Sequence, residues 1–269
     1  MNKHPFLVGL FFLAGLAVFV FILAYAATFF LGKSTLSGEK IAVVRIQGVI
    51  LDSGVVLEQL KEYRENPSVK AILLRIDSPG GAVAPSQEIY EEIKKIRDGN
   101  RKKVVASMGS VAASGGYYIA SAANKIVANP GTLTGSIGVI LESANVSGLM
   151  KKVGVESVVI KSGKYKDVGS LFRSMTPEER AILQGVMDDV HDQFIEAVAV
   201  GRGLAKEKVA GISDGRVFSG KQAKELGLVD EIGNYEDAIR IAADMAGIRG
   251  EPRIIEKKPG FSFWDVLSG

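Results

Sequence analysis

The sequence predicts an α/β fold, a mainly parallel β-sheet with helices on its faces, preceded by one N-terminal transmembrane helix. Three observations lead there. Continuous apolar runs alternate with helical segments from residue 41 onwards, the signature of strands buried on both faces by βα crossovers. Helix-start signals stand where the alternation demands them. Before all of this, "PFLVGLFFLAGLAVFVFILAYAATFFLG" (Pro5–Gly32) carries no charge over 28 residues, enough to cross a ~30 Å hydrocarbon core with tilt.

In chain order, residues 1–32 read as the anchor. A signal peptide cut after "AYA" (Ala24–Ala26) is the competing reading, but the apolar run continues through Phe29, Phe30 and Leu31. Lys3 and the amino terminus lie close to the membrane on a short tail, which favours an inside N-terminus and an extracytoplasmic body. Residues 33–40 are a polar linker. The body, 41–250, opens with a strand at Ile41–Ile50 and a helix at Gly54–Asn66. A strand at Lys70–Asp77 and a helix from Pro85 to Gly99 follow, with proline in the first turn.

A third strand is expected at Lys102–Gly109, then a helix at Ser110–Asn124. Short strands follow in Lys125–Pro130, Ser136–Ser143 and Val155–Gly163. The chain then turns helical at Thr176–Gly203, where Thr176, Pro177 and Glu179 spell a capping box. Two further helices flank a short strand between Ser219 and Gly247. Residues 251–269 are a tail rich in apolar groups, suited to docking on a neighbouring subunit, on a membrane or on the body itself.

Composition narrows the function. Of 269 residues, 47% are hydrophobic and 31 are glycine, which fits a globular fold rather than disorder. There is no cysteine, so thiol catalysis and cysteine-bound metals are excluded. With only His4 and His191, a histidine zinc site has no ligands to build on. The net charge of +3 includes +2 from the first 40 residues, so the body carries no broad basic surface and no case for nucleic acid binding.

The stretch Val104–Ile140 is almost entirely small and neutral, with Lys125 its single charge. Small residues let backbones approach each other or a ligand closely. Two glycine pairs stand just after apolar strands, in "IDSPGG" (to Gly81) and "AASGG" (Ser114–Gly116). Ligands of open parallel sheets bind outside the carboxyl ends of the strands, so the two segments can face one crevice. There Gly81 and Gly115 can present backbone N–H groups to an oxyanion, with Ser114 as nucleophile. A crowded turn explains the Ser-Gly-Gly motif equally well by itself. The α/β-hydrolase elbow is not met, because Ala112 occupies a position that motif gives to glycine.

A nucleophilic serine needs a base. His191, in the acidic helical stretch "MDDVHDQF", reads as an ordinary helix residue. The alternative is a lysine of "IKSGKYKDVGS": Lys161, Lys164 or Lys166. A free lysine with pKa about 10.4 is neutral in about one molecule in 2,500 at pH 7. Desolvation must lower that value by roughly 2–3 units, at a cost of about 3–4 kcal/mol. In an extended strand Asp167 would face away from Lys166 and would not oppose this. The residues alone do not choose among the three lysines.

The order of "DSPGG", "SMGSVAASGGYYIASAANKIVANPGTLTGSIGV", "SGKYKDVGS" and "FSGKQAKELGLVDEIG" after a membrane segment resembles the signal peptide peptidase A family. That family consists of Ser–Lys proteases with a ClpP/crotonase-like fold of repeated ββα/βα units. The resemblance spans residues 40–250 and implies specific roles. Ser114 falls on the nucleophile, Lys166 on the general base, Gly81 and Gly115 on the oxyanion donors, and Ser136 on the hydroxyl that holds the lysine amine. It also implies a membrane-attached homo-oligomer whose Ser and Lys can come from adjacent subunits. No cofactor or metal is implied, and the substrates would be remnant signal peptides and other apolar peptides at the cell membrane. The rival expectation is a non-proteolytic crotonase-like acyl-thioester enzyme or an anchored scaffold. Thioester chemistry usually calls for acids near the reacting carbon, and the central stretch has none.

Overall fold

Three long neighbouring strands form the spine of the molecule. The computed structural model describes residues 12–24, 39–99 and 102–257. Strands β1 (Lys40–Ile50), β2 (Val69–Gly81) and β3 (Lys103–Ala113) pair in parallel, and helices α2 (Gly54–Glu65) and α3 (Val83–Asp98) make the crossovers. Side chains alternate across a strand, and here both faces are covered. Ala42, Val44 and Ile46 pack with Leu60 of α2 and with Ile89 and Ile93 of α3. Ile41 and Val43 pack on the other face with Ala238 and Ala242 of α9 (Tyr235–Ala246).

β3 has two successive partners on one edge. Val105–Ser107 pair with β4 (Lys125–Ala128), and Val111–Ala113 pair with β5 (Leu133–Gly135). The bend between the two halves is held by Asp77, whose carboxylate accepts from Val111 N at 3.0 Å. A side chain at Gly109 would overlap that carboxylate, with its Cβ 2.7 Å from Asp77 Cγ. The strand expected to end at Gly109 therefore runs to Ala113. The helix expected from Ser110 is the shorter α4 (Gly115–Ser121). Small residues such as Val111–Ala113 carry little periodic signal, and pairing with β5 decided their conformation.

After β5 the chain leaves the sheet for an arm, residues 139–175, whose one helix is α5 (Ser147–Val153). The strands expected at Ser136–Ser143 and Val155–Gly163 do not form. Their β-branched residues find no neighbouring strand among the described residues; Val158 is 82% and Ile160 98% exposed. Leu171 O takes up Val146 N at 2.7 Å and closes the arm at its base.

The chain returns through α6 (Pro177–Arg202), which starts on the predicted box: Glu179 N donates to Thr176 Oγ1 and Thr176 N to Glu179 Oε2. α7 (Lys206–Ala210), β6 (Val217–Ser219, antiparallel to β5), α8 (Gly220–Leu226) and β7 (Glu231–Ile232) follow. Arg253–Glu256, within the stretch read as a tail, forms β8 parallel to β1 and completes an eight-stranded sheet. Residues 12–24 form an exposed helix, α1. No helix of the described residues is long and apolar enough to cross a membrane. The flanks of the expected anchor, 1–11 and 25–32, lie outside the described residues, as does the tail beyond 257.

Candidate active site

Ser114 occupies the single residue between β3 and α4, at φ 51° and ψ −121°. Positive φ is uncommon for a residue with a side chain and is a form of strain that collects at functional sites. Ser114 N donates to Gly135 O at 2.9 Å, and Tyr118 N closes the first turn of α4 on Ser114 O at 2.8 Å. Ser114 precedes α4 without its hydroxyl capping it, so Oγ is not committed to the helix. Gly115 is the first residue of that helix, and its N–H belongs to the first turn, where no intrahelical acceptor exists.

Gly81 ends β2 alongside this turn. Ala82 N donates to Ile50 O at 2.7 Å, and successive N–H groups of a strand point to opposite sides. The Gly81 N–H is thus turned from β1 towards the α4 turn: a methyl on Gly115 would sit 3.3 Å from Gly81 N. Side chains are shut out at each glycine. A Cβ at Gly81 would overlap the backbone of Ile50, 2.5 Å from its nitrogen, and one at Gly115 would lie 2.5 Å from Ser86 Oγ. At Gly80 (φ +104°) it would lie 2.7 Å from Gly115 N. Glycine at these positions is a consequence of two backbones meeting.

Ser136 mirrors Ser114. It too has positive φ, 50°, and its N–H donates to Arg216 O at 2.9 Å. Gly81, Ser114, Gly115 and Ser136 all line one cavity of about 500 Å³. Four of the five expected site residues are therefore brought together.

Lys166 is not. It lies exposed on a turn at 164–169 and is not part of the cavity wall. The three candidate lysines differ in their commitments. Lys161 pairs with Asp167. The Lys164 amine lies 4.9 Å from the Tyr165 ring, and hydrogen bonding to Tyr165 holds it above the usual lysine range. The amine of Lys166 makes no hydrogen bond or ion pair among the described residues. Asp167, expected to point away along a strand, sits in the turn instead and is neutralised: Arg173, first, and Lys161 hold its carboxyl well below the usual range. Arg173 also grips Glu179, at 2.7 Å through Nη1, and with the Thr176 N–H pushes that carboxyl down to about 2.

A further wall residue figures in the sequence only as a rejected base. His191 of α6 lines the same cavity as Ser114, and its Nε2 is buried with no hydrogen-bond partner among the described residues. The signal was the recurrence of Gln184, Met187, His191 and Phe194 at helical spacing, hidden by the acids between them.

This geometry can be set beside known proteins. The profile of Peptidase family S49 matches residues 97–249, and a Synechocystis sp. protein named as a protease is 50% identical over 216 residues, covering 80% of this chain and 77% of that protein. The chain belongs to peptidase family S49. A protein of Enterococcus faecium that is named for signal peptide peptidase SppA is 39% identical over 76% of this chain and 62% of that one. Protease 4 of Salmonella typhi is 37% identical over 79% of this chain, which spans only 36% of that longer protein. A Clp protease profile matches residues 43–132, the part that supplies Gly81 and Ser114 and agrees with the ClpP-like parallel sheet. Membership of S49 supports a serine protease.

Proposed function

We propose that this chain is a membrane-anchored serine endopeptidase in which Ser114 is the nucleophile and Lys166 the general base. The observation that carries the reading is the convergence of a strained Ser114 with the Gly81 and Gly115 amides on one cavity. Neutral Lys166 takes the Ser114 hydroxyl proton as Oγ attacks a peptide carbonyl carbon. The carbonyl oxygen becomes an oxyanion between the N–H groups of Gly81 and Gly115. The tetrahedral intermediate collapses, the C–N bond breaks and the lysine ammonium protonates the leaving amine. Water, losing its proton to the same lysine, then hydrolyses the acyl-enzyme. The Ser136 hydroxyl, on the same cavity, is suited to hold the amine.

Lys166 is exposed in the single chain, so a dry amine requires something to cover it. The arm that bears it also exposes Ile140, Val158 and Ile160; apolar surface of this kind marks an interaction face. A second copy of the chain covering the arm would desolvate Lys166 and bring it to a Ser114, giving a homo-oligomer with a shared dyad. The uncharged Pro5–Gly32 stretch supports the membrane anchor, with the body on the extracytoplasmic side. The Enterococcus relative's name supports signal peptide remnants as substrates.

A serine-directed fluorophosphonate tests the reading. Labelling of the full chain should map to Ser114, and Ser114→Ala and Lys166→Ala should each abolish peptide cleavage while keeping the fold. Substantial cleavage by either purified variant overturns the mechanism.

A further inference from the structure

The cavity wall that α6 supplies is apolar where Met187 and Phe194 face it, and Val83 and Tyr118 extend it. The Tyr118 and Phe194 rings are 4.9 Å apart. In this setting His191 brings one ring nitrogen, Nε2, that is enclosed and unpartnered among the described residues. A buried polar atom left unbonded is a cost that native structures rarely tolerate without a use. The acids on the cavity do not relieve it: Asp188 accepts from Gln184 at 2.7 Å, and Asp214 is held by Arg216 at 2.7 Å.

We infer that His191 is a specificity residue whose Nε2 bonds a hydroxyl at the tip of a largely apolar substrate side chain, tyrosine foremost, at the residue that supplies the scissile carbonyl. The inference rests on the peptidase reading of the cavity and adds its substrate preference. Neutral imidazole carries a donor nitrogen and an acceptor nitrogen, and a hydroxyl can meet either. A carboxylate would enter against Asp188 and Asp214. An ammonium would lose its water to the apolar wall. An aromatic ring packs well beside Tyr118 and Phe194. Sites built to bond a hydroxyl reject the analogue without it far more strongly than apolar pockets reject a missing methylene.

The test is a pair of peptides identical except for Tyr or Phe before the scissile bond, given to the full-length protein. The expected kcat/KM ratio favours Tyr by about tenfold or more, falls to near one in His191→Leu, and is partly restored in His191→Gln, whose amide can still bond. The affinities of both peptides for Ser114→Ala, with and without His191→Leu, read the same preference without cleavage. A ratio indifferent to residue 191 overturns the inference while hydrolysis leaves the peptidase reading standing. Absence of both hydrolysis and serine labelling overturns that reading instead, and the Ser114→Ala affinities then still decide the role of His191.

Discussion

The N–H of Ser114 donates to the carbonyl oxygen of Gly135 at 2.9 Å, so the turn carrying the proposed nucleophile is tied to the residue just before Ser136. Both serines have positive φ, 51° and 50°, and the two strained turns brace one another across the cavity. Strain of this kind costs on the order of 1–3 kcal/mol per residue. Glycine relieves it. Ser114→Gly should therefore be more stable than Ser114→Ala by about 1 kcal/mol, with both variants inactive. Denaturant midpoints of the two proteins decide this, and equal midpoints would mean that the turn stores no strain.

Gly81→Ala should move the proposed oxyanion donor. Because the atoms that a methyl would meet belong to the backbone of Ile50, β1 and β2 must separate and carry the Gly81 N–H with them. Loss of one such donor typically lowers the rate by about 10²–10³. Steady-state kinetics should show this in kcat more than in KM, with thermal melting to show that the sheet persists.

Acid should loosen the base of the arm. The carboxyls of Asp167 and Glu179 are both depressed by Arg173, that of Glu179 to about 2. A carboxyl lowered on folding stabilises fully above its unfolded pKa, about 4, and that contribution is lost as pH falls through the folded value. Stability should thus decline between about pH 4 and pH 2, and Arg173→Met should flatten the decline. Urea midpoints across that window check it, and identical slopes in both proteins would remove Arg173 from the account.

Mixing tests the shared dyad. Ser114→Ala and Lys166→Ala chains, each inactive alone, should regain cleavage when co-assembled, since one interface then holds an intact Lys166 beside an intact Ser114. Lys166→Arg should not substitute in either format, because a guanidinium does not give up its proton near neutral pH. A mixture as inactive as its parts would confine the dyad to one subunit.

Much of this was readable beforehand because the signals are local. The Thr176–Pro177–Glu179 cap needs only neighbouring residues, and it formed as spelled. Paired glycines at strand ends announce a close approach of backbones, and a side chain at 81 or 115 would indeed clash. The misreadings share one cause. Val111–Ala113 became strand, and Val155–Ile160 did not, because a strand exists only where another strand lies beside it. His191 reads as an exposed or half-buried helix residue and is half-buried on α6, but nothing in its own turn announces that Ser114, far away in the chain, lies across the same cavity.

By itself the sequence determined the parallel α/β sheet, the capped start of α6, the glycine positions and the family, because apolar period, caps and motif order are properties of neighbouring residues. Only the tertiary structure decided that β3 bends at Gly109 to serve two partners, that Lys161 and Lys164 are occupied while the Lys166 amine is not, and that His191 shares a wall with Ser114. Those facts depend on which distant segments meet, and chain closure over long separations is set by packing of the whole molecule rather than by any local preference.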